Sequence, residues 1–435
     1  MKKLLIYIIG FIISLIVIMI LVLAYLLSSA ISATTRESEL IKNISEGHGF
    51  SIFQWEKENF FDKWGSYLNP FDNHKKIKSK DQVVEYFSLI EKIKENENLY
   101  AELFIENLDL KAKIYRKEID IDQINNTIAK NTKQLELLSE KISKDKNFKD
   151  EHKLYIEQYL EEKISSVIQS DRVNLFGRIF YVPVDFVIEK TPKLLVISPR
   201  DKIFRQEDKL LKNDISIENI IKMENHLLQK NNLSGIVVPT GGVSTYPSMV
   251  SEGDLLYVLQ TSAHEWLHNY LALFPLGRSY FNSVDMQSIN ETVCDIFGDE
   301  VGLLAYEEIL GLQQKKYIDS GKNIAQEFNF NSFMKNTRLE VEKLLSEGKI
   351  IESEAFMESQ KNILSSNGYN IRKINQAYFA FYGTYGGNPE SSNDYHDNLV
   401  HMRSKYNNLG EMINDIKYAD NIQKINKLLE KNKEK

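Results

Sequence analysis

A pair of histidines four residues apart is the strongest chemical signal in the chain. His264 and His268 are the first and last residues of His-Glu-Trp-Leu-His, an HExxH pattern. Positions i and i+4 share one face of an α-helix, so both imidazoles can bind the same metal ion. Glu265 follows the first histidine directly and can hold a water molecule beside that ion. The spacing therefore predicts a zinc site with a neighbouring general base.

A later pair of acidic residues can complete the metal site that the two histidines begin. A catalytic zinc site has three protein ligands and keeps one position open for water. Glu291 and Asp295 are also four residues apart, so they would share a face of a second helix. We expect that helix to pack against the histidine helix. Glu291 can then be the third ligand, and Asp295 can accept the free ring N–H of a histidine ligand.

Together the two motifs resemble those of the gluzincins, the thermolysin-like and aminopeptidase-like metallopeptidases in which HExxH is followed by ExxxD. The resemblance covers the stretch from the first histidine to Asp295. It implies that His264, His268 and Glu291 bind one zinc ion per chain. It also implies that Glu265 is the general base and that Asp295 pairs with His264.

In the resembling enzymes, a tyrosine or histidine after the third ligand stabilises the oxyanion of the reaction. Tyr382 and Tyr385 follow an apolar helix and precede glycines, so we expect them at a helix end that opens onto a cleft. Tyr382 is the first catalytic candidate, and Tyr385, His396 and His401 are the alternatives. The chain lacks the Gly-Ala-Met-Glu-Asn-type signature of aminopeptidases before the motif helix, which argues against exopeptidase specificity without deciding between endopeptidase and exopeptidase action.

The N-terminal stretch predicts a membrane anchor. Residues 4–28 are almost wholly apolar, and no charge follows them before Arg36. About 20 apolar residues span a bilayer, whereas a cleavable signal sequence usually has a shorter apolar core. Lys2 and Lys3 precede the stretch, so the positive-inside rule places them in the cytoplasm. We expect a single-pass protein of the cell membrane with its catalytic part outside the cytoplasm. The small residues after Leu27 leave cleavage as the alternative.

Charge and cysteine content exclude other functions. The 435-residue chain has a net charge of −7 that is spread along its length, which argues against a nucleic-acid partner. Cys294 is the only cysteine, so no disulfide can form within the chain. Its position between the two acidic residues of the second motif is typical of a small buried hydrophobe.

Between the anchor and the histidine helix, the apolar residues change their spacing. An aromatic stretch over residues 50–71 predicts a helix that either packs on the catalytic part or lies at the membrane interface. A heptad over residues 114–142 predicts an antiparallel helical hairpin, with a homodimer through the same segment as the alternative. The heptad positions are Ile114, Ile121, Ile128, Leu135 and Ile142, with Ile124 and Leu138 between them.

From about residue 171, β-branched and aromatic residues predict a small sheet, with strands within Gly177–Ile188, Pro192–Pro199 and Ser234–Pro239. Val243–Val250 is predicted either as its edge strand, which would hold a peptide by strand addition, or as a loop. The expected fold is α+β and predominantly helical, with a zincin-like catalytic part. Its expected parts are the transmembrane anchor and flank (1–33), the aromatic helix and hairpin (34–170), the β-sheet subdomain (171–253) and the helical zinc-binding subdomain (254–435).

The sequence therefore predicts a membrane-anchored zinc metallopeptidase that acts on peptides or proteins. Roughly residues 171–430 are also similar to uncharacterised membrane-anchored bacterial HExxH proteins. One alternative is a non-catalytic, membrane-tethered interaction protein in which zinc only holds helices together. The intact Glu265 argues against it, because a structural site needs no general base. Another alternative is a zinc amidohydrolase that acts on a non-peptide envelope substrate, which the same activated water would serve.

Overall fold

The computed structural model describes residues 38–67, 80–116, 121–170, 173, 182–312 and 328–433. The expected anchor at residues 4–28 lies outside these ranges. Among the helices of the described part, none combines the length and hydrophobicity that a membrane crossing requires. The described chain is mostly helical with small sheets, so the predicted predominantly helical α+β class is confirmed.

Side chains cap the two helices that carry the predicted metal ligands. Asp254 accepts a hydrogen bond from Tyr257 N, and Ser283 accepts one from Met286 N. These bonds satisfy N–H groups that a helix start leaves free, and they fix where each helix begins. The helices are α1 (Glu39–Ile44), α2 (Ile52–Tyr67), α3 (Lys80–Arg116), α4 (Ile121–Gln169), α5 (Ile217–Asn231), α6 (Leu255–Leu271), α7 (Pro275–Arg278), α8 (Val284–Leu310), α9 (Phe330–Ser346), α10 (Ile350–Ser366), α11 (Gln376–Tyr382), α12 (Tyr395–Arg403), α13 (Leu409–Ile416) and α14 (Ile422–Lys433). The strands are β1 (Phe186–Ile188), β2 (Lys193–Pro199), β3 (Glu207–Leu211), β4 (Leu233–Pro239), β5 (Gly242–Val243) and β6 (Ser248–Val250).

Helices α3 and α4 form an antiparallel hairpin within one chain. Ile124, Asn131 and Leu138 are buried at seven-residue intervals along α4, as the heptad pattern requires. Asn131 Nδ2 donates to Glu106 Oε2 of α3 at 3.1 Å, which satisfies the one polar side chain in this buried series. The hairpin interpretation is therefore confirmed, but the heptad is used only in part. Ile128, Leu135 and Ile142 are half-buried, Ile121 is 49% exposed, and Ile114 lies on α3 rather than α4.

Two buried glutamates of α4 join the hairpin to a sheet. The backbone N–H of Phe186 donates to Glu161 Oε1 at 2.9 Å, and that of Ile188 donates to Glu157 Oε1 at 2.7 Å. Alternate N–H groups of a strand face the same side, so the two carboxylates bond to the free edge of β1 as a neighbouring strand would. The hairpin is thus bonded directly to the sheet that reaches the candidate site.

The described residues form two three-stranded sheets, one in the order β1-β6-β5 and one in the order β3-β2-β4. β6 is parallel to β1 and antiparallel to β5, whereas β2 is antiparallel to both neighbours. β2 and β4 lie where the sequence predicts strands, but β3 was not predicted. The predicted segment Val243–Val250 contributes to the edge strand β5 and supplies the central strand β6, with a turn between them. Of this segment, only Val243 therefore lies in the edge strand, and Ser248–Val250 forms the central strand instead of an edge or a loop.

Helices α6 and α8 pack together closely through two glycines of α8. A β-carbon at Gly298 would lie 2.7 Å from the carbonyl oxygen of Gln260, and one at Gly302 would lie 2.6 Å from Gln260 Cα. Any side chain at either position would push α8 away from α6, since the contact there is with the backbone. The apolar core around this pair includes the stacked rings of Trp266 and Phe297.

Candidate metal centre

The structure brings the two predicted ligand motifs together. Nε2 of His264 and Nε2 of His268 lie 3.0 Å apart, and Oε2 of Glu291 lies 3.5 Å from the first and 3.4 Å from the second. Ligand atoms about 2.0–2.1 Å from one tetrahedral zinc ion would lie about 3.3–3.4 Å apart. Two imidazole nitrogens and one carboxylate oxygen also form a donor set that zinc favours. The three residues therefore fit a zinc ion.

Asp295 lies where the motif spacing places it. Its Oδ1 is 3.0 Å from Nδ1 of His264. A histidine whose Nδ1–H donates to a carboxylate has the tautomer that leaves Nε2 free for a metal. Nδ1 of His268 instead lies 3.4 Å from the sulfur of Cys294, which is completely buried. The cysteine therefore does more than fill space, because it contacts the second histidine of the cluster.

Tyr280 is a member of the site that the sequence did not indicate. Its hydroxyl group donates a hydrogen bond to Oε1 of Glu291 and accepts one from Gln287 Nε2 at 3.1 Å. This bond holds one carboxylate oxygen of Glu291 and leaves the other facing the imidazoles. Tyr280 lies between α7 and α8, outside any periodic segment, and a single tyrosine in a polar connection carries no signal of its role.

Burial and opposite charge act against each other on the pKa values of the cluster. Burial lowers the pKa of His264, but its hydrogen bonds with Asp295 and Glu291 prevail and raise it well above the usual range. Burial raises the pKa of Glu291, but the charge of His268 and the hydrogen bonds from both imidazoles hold it well below the usual range. Glu291 is therefore ionised at neutral pH, as a metal ligand must be.

Glu265 differs from the other carboxylates of the cluster because its oxygens are not paired. It is 7% exposed, and its carboxylate has no hydrogen bond to any residue in the described ranges. Burial raises its pKa more than the neighbouring imidazoles lower it. A buried carboxylate with a raised pKa is a stronger base than an ordinary glutamate.

The cluster opens into a large cleft between the sheets and the helices that follow them. The cleft has a volume of about 2010 Å³, and its walls include Gly242 of the edge strand β5, Glu265 of α6 and Glu291 of α8. Ligand sites for small molecules are usually about 300–1,000 Å³. The space is therefore large enough for an extended chain rather than only a small molecule.

The four candidates for an oxyanion donor lie at different places. Tyr382 lines the cleft but packs on Tyr378, with ring centroids 4.6 Å apart. Burial raises its pKa most, and the charge of Glu390 raises it further. Tyr385 also lines the cleft. Burial and then the charge of Glu291 are the largest causes that raise its pKa well above the usual range. The structure thus brings Tyr385, rather than Tyr382, close to the acidic cluster.

The two histidine candidates differ in whether they reach the cleft. His396 lines the cleft beside Gly386 and Gly387, and a β-carbon at Gly387 would lie 3.2 Å from its Nε2. His401 is exposed on α12 and is not part of the cleft wall. Neither of them forms a hydrogen bond with the predicted metal ligands.

Comparison with known protein families, with curated proteins and with solved structures finds no match to this chain. The gluzincin resemblance of the two motifs therefore stays a prediction. The function is inferred from the arrangement of the protein's own residues.

Proposed function

We propose that the protein is a zinc-dependent metallopeptidase with Glu265 as its general base. The observation that supports this most strongly is the convergence of His264, His268 and Glu291 on one point beside an unpaired carboxylate, within an open cleft. A site that only joined helices would need no free carboxylate, and structural zinc sites usually have a fourth protein ligand. The non-catalytic alternative is disfavoured for both reasons.

The residues of the site divide the work of hydrolysis between them. The two imidazoles and Glu291 would hold a zinc ion, which would supply Lewis acidity toward the substrate carbonyl and toward water. Glu265 accepts the proton that the attacking water loses and then delivers it to the leaving amine nitrogen. Asp295 keeps His264 in the tautomer that a metal requires. Each role uses an atom that faces the cluster.

A hydroxyl group is available for the oxygen that becomes negative when water attacks the carbonyl. Tyr385 lines the cleft close to Glu291, and its hydroxyl has no hydrogen-bond partner among the residues that the structure describes. We assign this hydroxyl group as the donor of a hydrogen bond to the developing oxyanion. Stabilisation of the oxyanion is the largest single contribution to catalysis in many hydrolases. Tyr382, the first candidate from the sequence, stays the alternative.

A peptide or protein substrate suits the walls of this cleft. β5 is the edge of its sheet, and an extended peptide can add to such an edge through backbone hydrogen bonds. A peptide bound there would pass Glu265, because Gly242 lies against that carboxylate. The same proposal includes a membrane anchor at residues 4–28. It also includes a gluzincin-like, zincin-type catalytic part that lies outside the cytoplasm.

The first test measures bound metal and peptide cleavage on the full chain. We expect one zinc ion per chain and cleavage of a random peptide pool by the wild type. Glu265→Gln should keep the zinc and lose the cleavage, whereas His268→Ala should lose both. Glu218→Gln, a matched change at an exposed position of α5, should alter neither. Stoichiometric zinc without cleavage of any peptide would overturn the peptidase, and absence of zinc would overturn the site.

A further inference from the structure

Arg205 is a cationic residue that lines the cleft and has no role in the proposed steps of hydrolysis. It lies between β2 and β3, and its guanidinium group lines the same cleft as the metal cluster. Nε donates to Asp208 Oδ2 at 2.6 Å, and the group lies over the ring of Phe381 at 5.4 Å from the centroid. The side chain is only 11% exposed. Its position is therefore fixed on two sides.

The terminal nitrogens of Arg205 are free for a ligand. Neither Nη1 nor Nη2 has a hydrogen-bond acceptor among the described residues, and neither is sealed off from the cleft. Arg403, which lines the same cleft, is different. Its Nε and Nη2 bond to both oxygens of Glu300, and its Nη1 donates to the carbonyl of Tyr406. Arg205 thus offers donors that the protein does not use itself.

The free donors of Arg205 lie on the side of the cleft that holds the reaction centre. Phe381, under the guanidinium, is 5.7 Å from Tyr385 between ring centroids. The charge of Arg205 also lowers the pKa of Tyr280 and of Tyr385, against the effect of burial. Tyr280 is itself bonded to Glu291, so the guanidinium is a close neighbour of the metal cluster.

A guanidinium held at Nε presents its two terminal nitrogens as a planar fork. That fork matches the two oxygens of a carboxylate, and such charge-assisted pairs are strong where water is largely excluded. The nearby wall of the cleft is acidic, with Glu265, Glu291 and Asp295 around the cluster. An anionic part of a substrate would therefore be repelled there except at Arg205 or at the metal.

We propose that Arg205 binds a carboxylate of the substrate, carried near the bond that is cleaved. This inference rests on the proposed peptidase function and adds its substrate class. The carboxylate comes from one of two sources, the C-terminus of the peptide or an Asp or Glu side chain within it. In the first case the enzyme removes residues from a C-terminal end, and in the second it cleaves beside acidic residues.

The test measures binding rather than turnover. Full-length Glu265→Gln, loaded with zinc, is equilibrated with three hexapeptide pools, and retained peptides are identified by mass spectrometry. One pool has free C-termini without Asp or Glu, one is amidated and contains Asp and Glu, and one is amidated and has neither. We expect about 10- to 100-fold preferential retention of one carboxylate-bearing pool. Which of the two is retained identifies the source.

The preference for carboxylate-bearing peptides must depend on the two terminal nitrogens of Arg205. Arg205→Gln should abolish it and Arg205→Lys should keep part of it, because a lysine retains the charge without the paired donors. Arg403→Gln removes a charge from the same cleft at an arginine whose donors are occupied, and it should leave the preference unchanged. Zinc content and the thermal unfolding midpoint show that each variant is folded. Equal retention of all pools, or an unchanged preference in Arg205→Gln, would overturn the inference.

Failure of this inference can be told apart from failure of the peptidase. Wild-type protein is incubated with each of the three pools, and cleavage of any of them supports the peptidase whether or not Arg205 selects the peptide. Cleavage without any carboxylate preference overturns only the role of Arg205. Retention of carboxylate peptides by Glu265→Gln, with no cleavage of any pool by the wild type, overturns the peptidase and supports the binding role.

Discussion

Gly242 lies against the carboxylate of Glu265, with no room for a side chain between them. A β-carbon at Gly242 would be 2.4 Å from Glu265 Oε1 and 2.7 Å from its Cγ. The glycine belongs to the edge strand β5, and the glutamate belongs to α6, so a strand and a helix meet at this contact. The strand that we propose to bind the substrate backbone therefore also forms the wall behind the proposed general base.

Gly242→Ala should reduce kcat about 100-fold with little change in bound zinc. The added methyl group cannot fit without moving Glu265, and a displacement of about 1 Å of a catalytic group has an effect of this size. Peptide cleavage and zinc content of the purified variant are the measurements. Gly241→Ala is the control, because its methyl group meets the hydroxyl of Tyr257 at 2.9 Å instead. Equal activity of the two variants would contradict the contact.

Gly298→Ala should weaken both the fold and the zinc site. Its β-carbon would lie 2.7 Å from the carbonyl of Gln260 and 2.9 Å from Cβ of His264, so α8 must move away from α6. Overpacking of this kind costs about 1–3 kcal/mol in the free energy of unfolding. Gly302→Ala separates the same helices one turn farther on, against Gln260 alone. We expect a similar loss of stability but a smaller loss of zinc affinity, measured by urea unfolding and competitive zinc titration.

Tyr280→Phe should lower the affinity for zinc about 10- to 100-fold. The change removes the hydroxyl group that holds Oε1 of Glu291, and loss of such an outer partner has this effect on metal sites. Titration against a chelator of known affinity gives the measurement. Tyr406→Phe removes a hydroxyl that donates to another carboxylate, Asp415, away from the cluster. If both variants bound zinc as the wild type does, Tyr280 would have no role in the site.

Tyr385→Phe should reduce kcat about 100- to 1,000-fold with little effect on KM or zinc content. Removal of one oxyanion donor has this effect in other hydrolases. Tyr382→Phe is the matched change three residues earlier, and it should leave kcat within a few fold of the wild type. Steady-state kinetics on one good peptide substrate compare the two directly. The reverse result would return the role to Tyr382, the first candidate from the sequence.

Glu56→Gln should stabilise the protein above neutral pH but not in acid. Burial raises the pKa of Glu56 from its ordinary value of 4.5 to about 7, although the hydrogen bond from Tyr246 N lowers it. The folded pKa is the higher one, so the wild type loses stability as the pH rises from about 4.5 to about 7. A glutamine keeps an acceptor for Tyr246 and carries no charge. Urea unfolding should give a more stable variant at pH 8 and an equal one at pH 4. The same difference at both values would contradict this assignment.

By itself, the sequence determined the features whose cause is local. The spacing of His264 and His268, and that of Glu291 and Asp295, places each pair on one helix face wherever the helices lie. The heptad of α4 likewise predicted an apolar face that packs against another helix. The apolar runs of β2 and β4 predicted buried strands. β3 was missed because Glu207–Leu211 is mostly polar, and it is held as a strand by its pairing with β2.

Only the tertiary structure decided which separate segments meet at the cleft. Tyr280 comes from a connection, Arg205 from a turn between strands, and Gly242 from an edge strand of two residues. None of them belongs to a periodic pattern, so nothing in their own neighbourhood indicates a partner. The choice between Tyr382 and Tyr385 has the same origin. They are three positions apart, and the end of α11 places one near Glu390 and the other near Glu291.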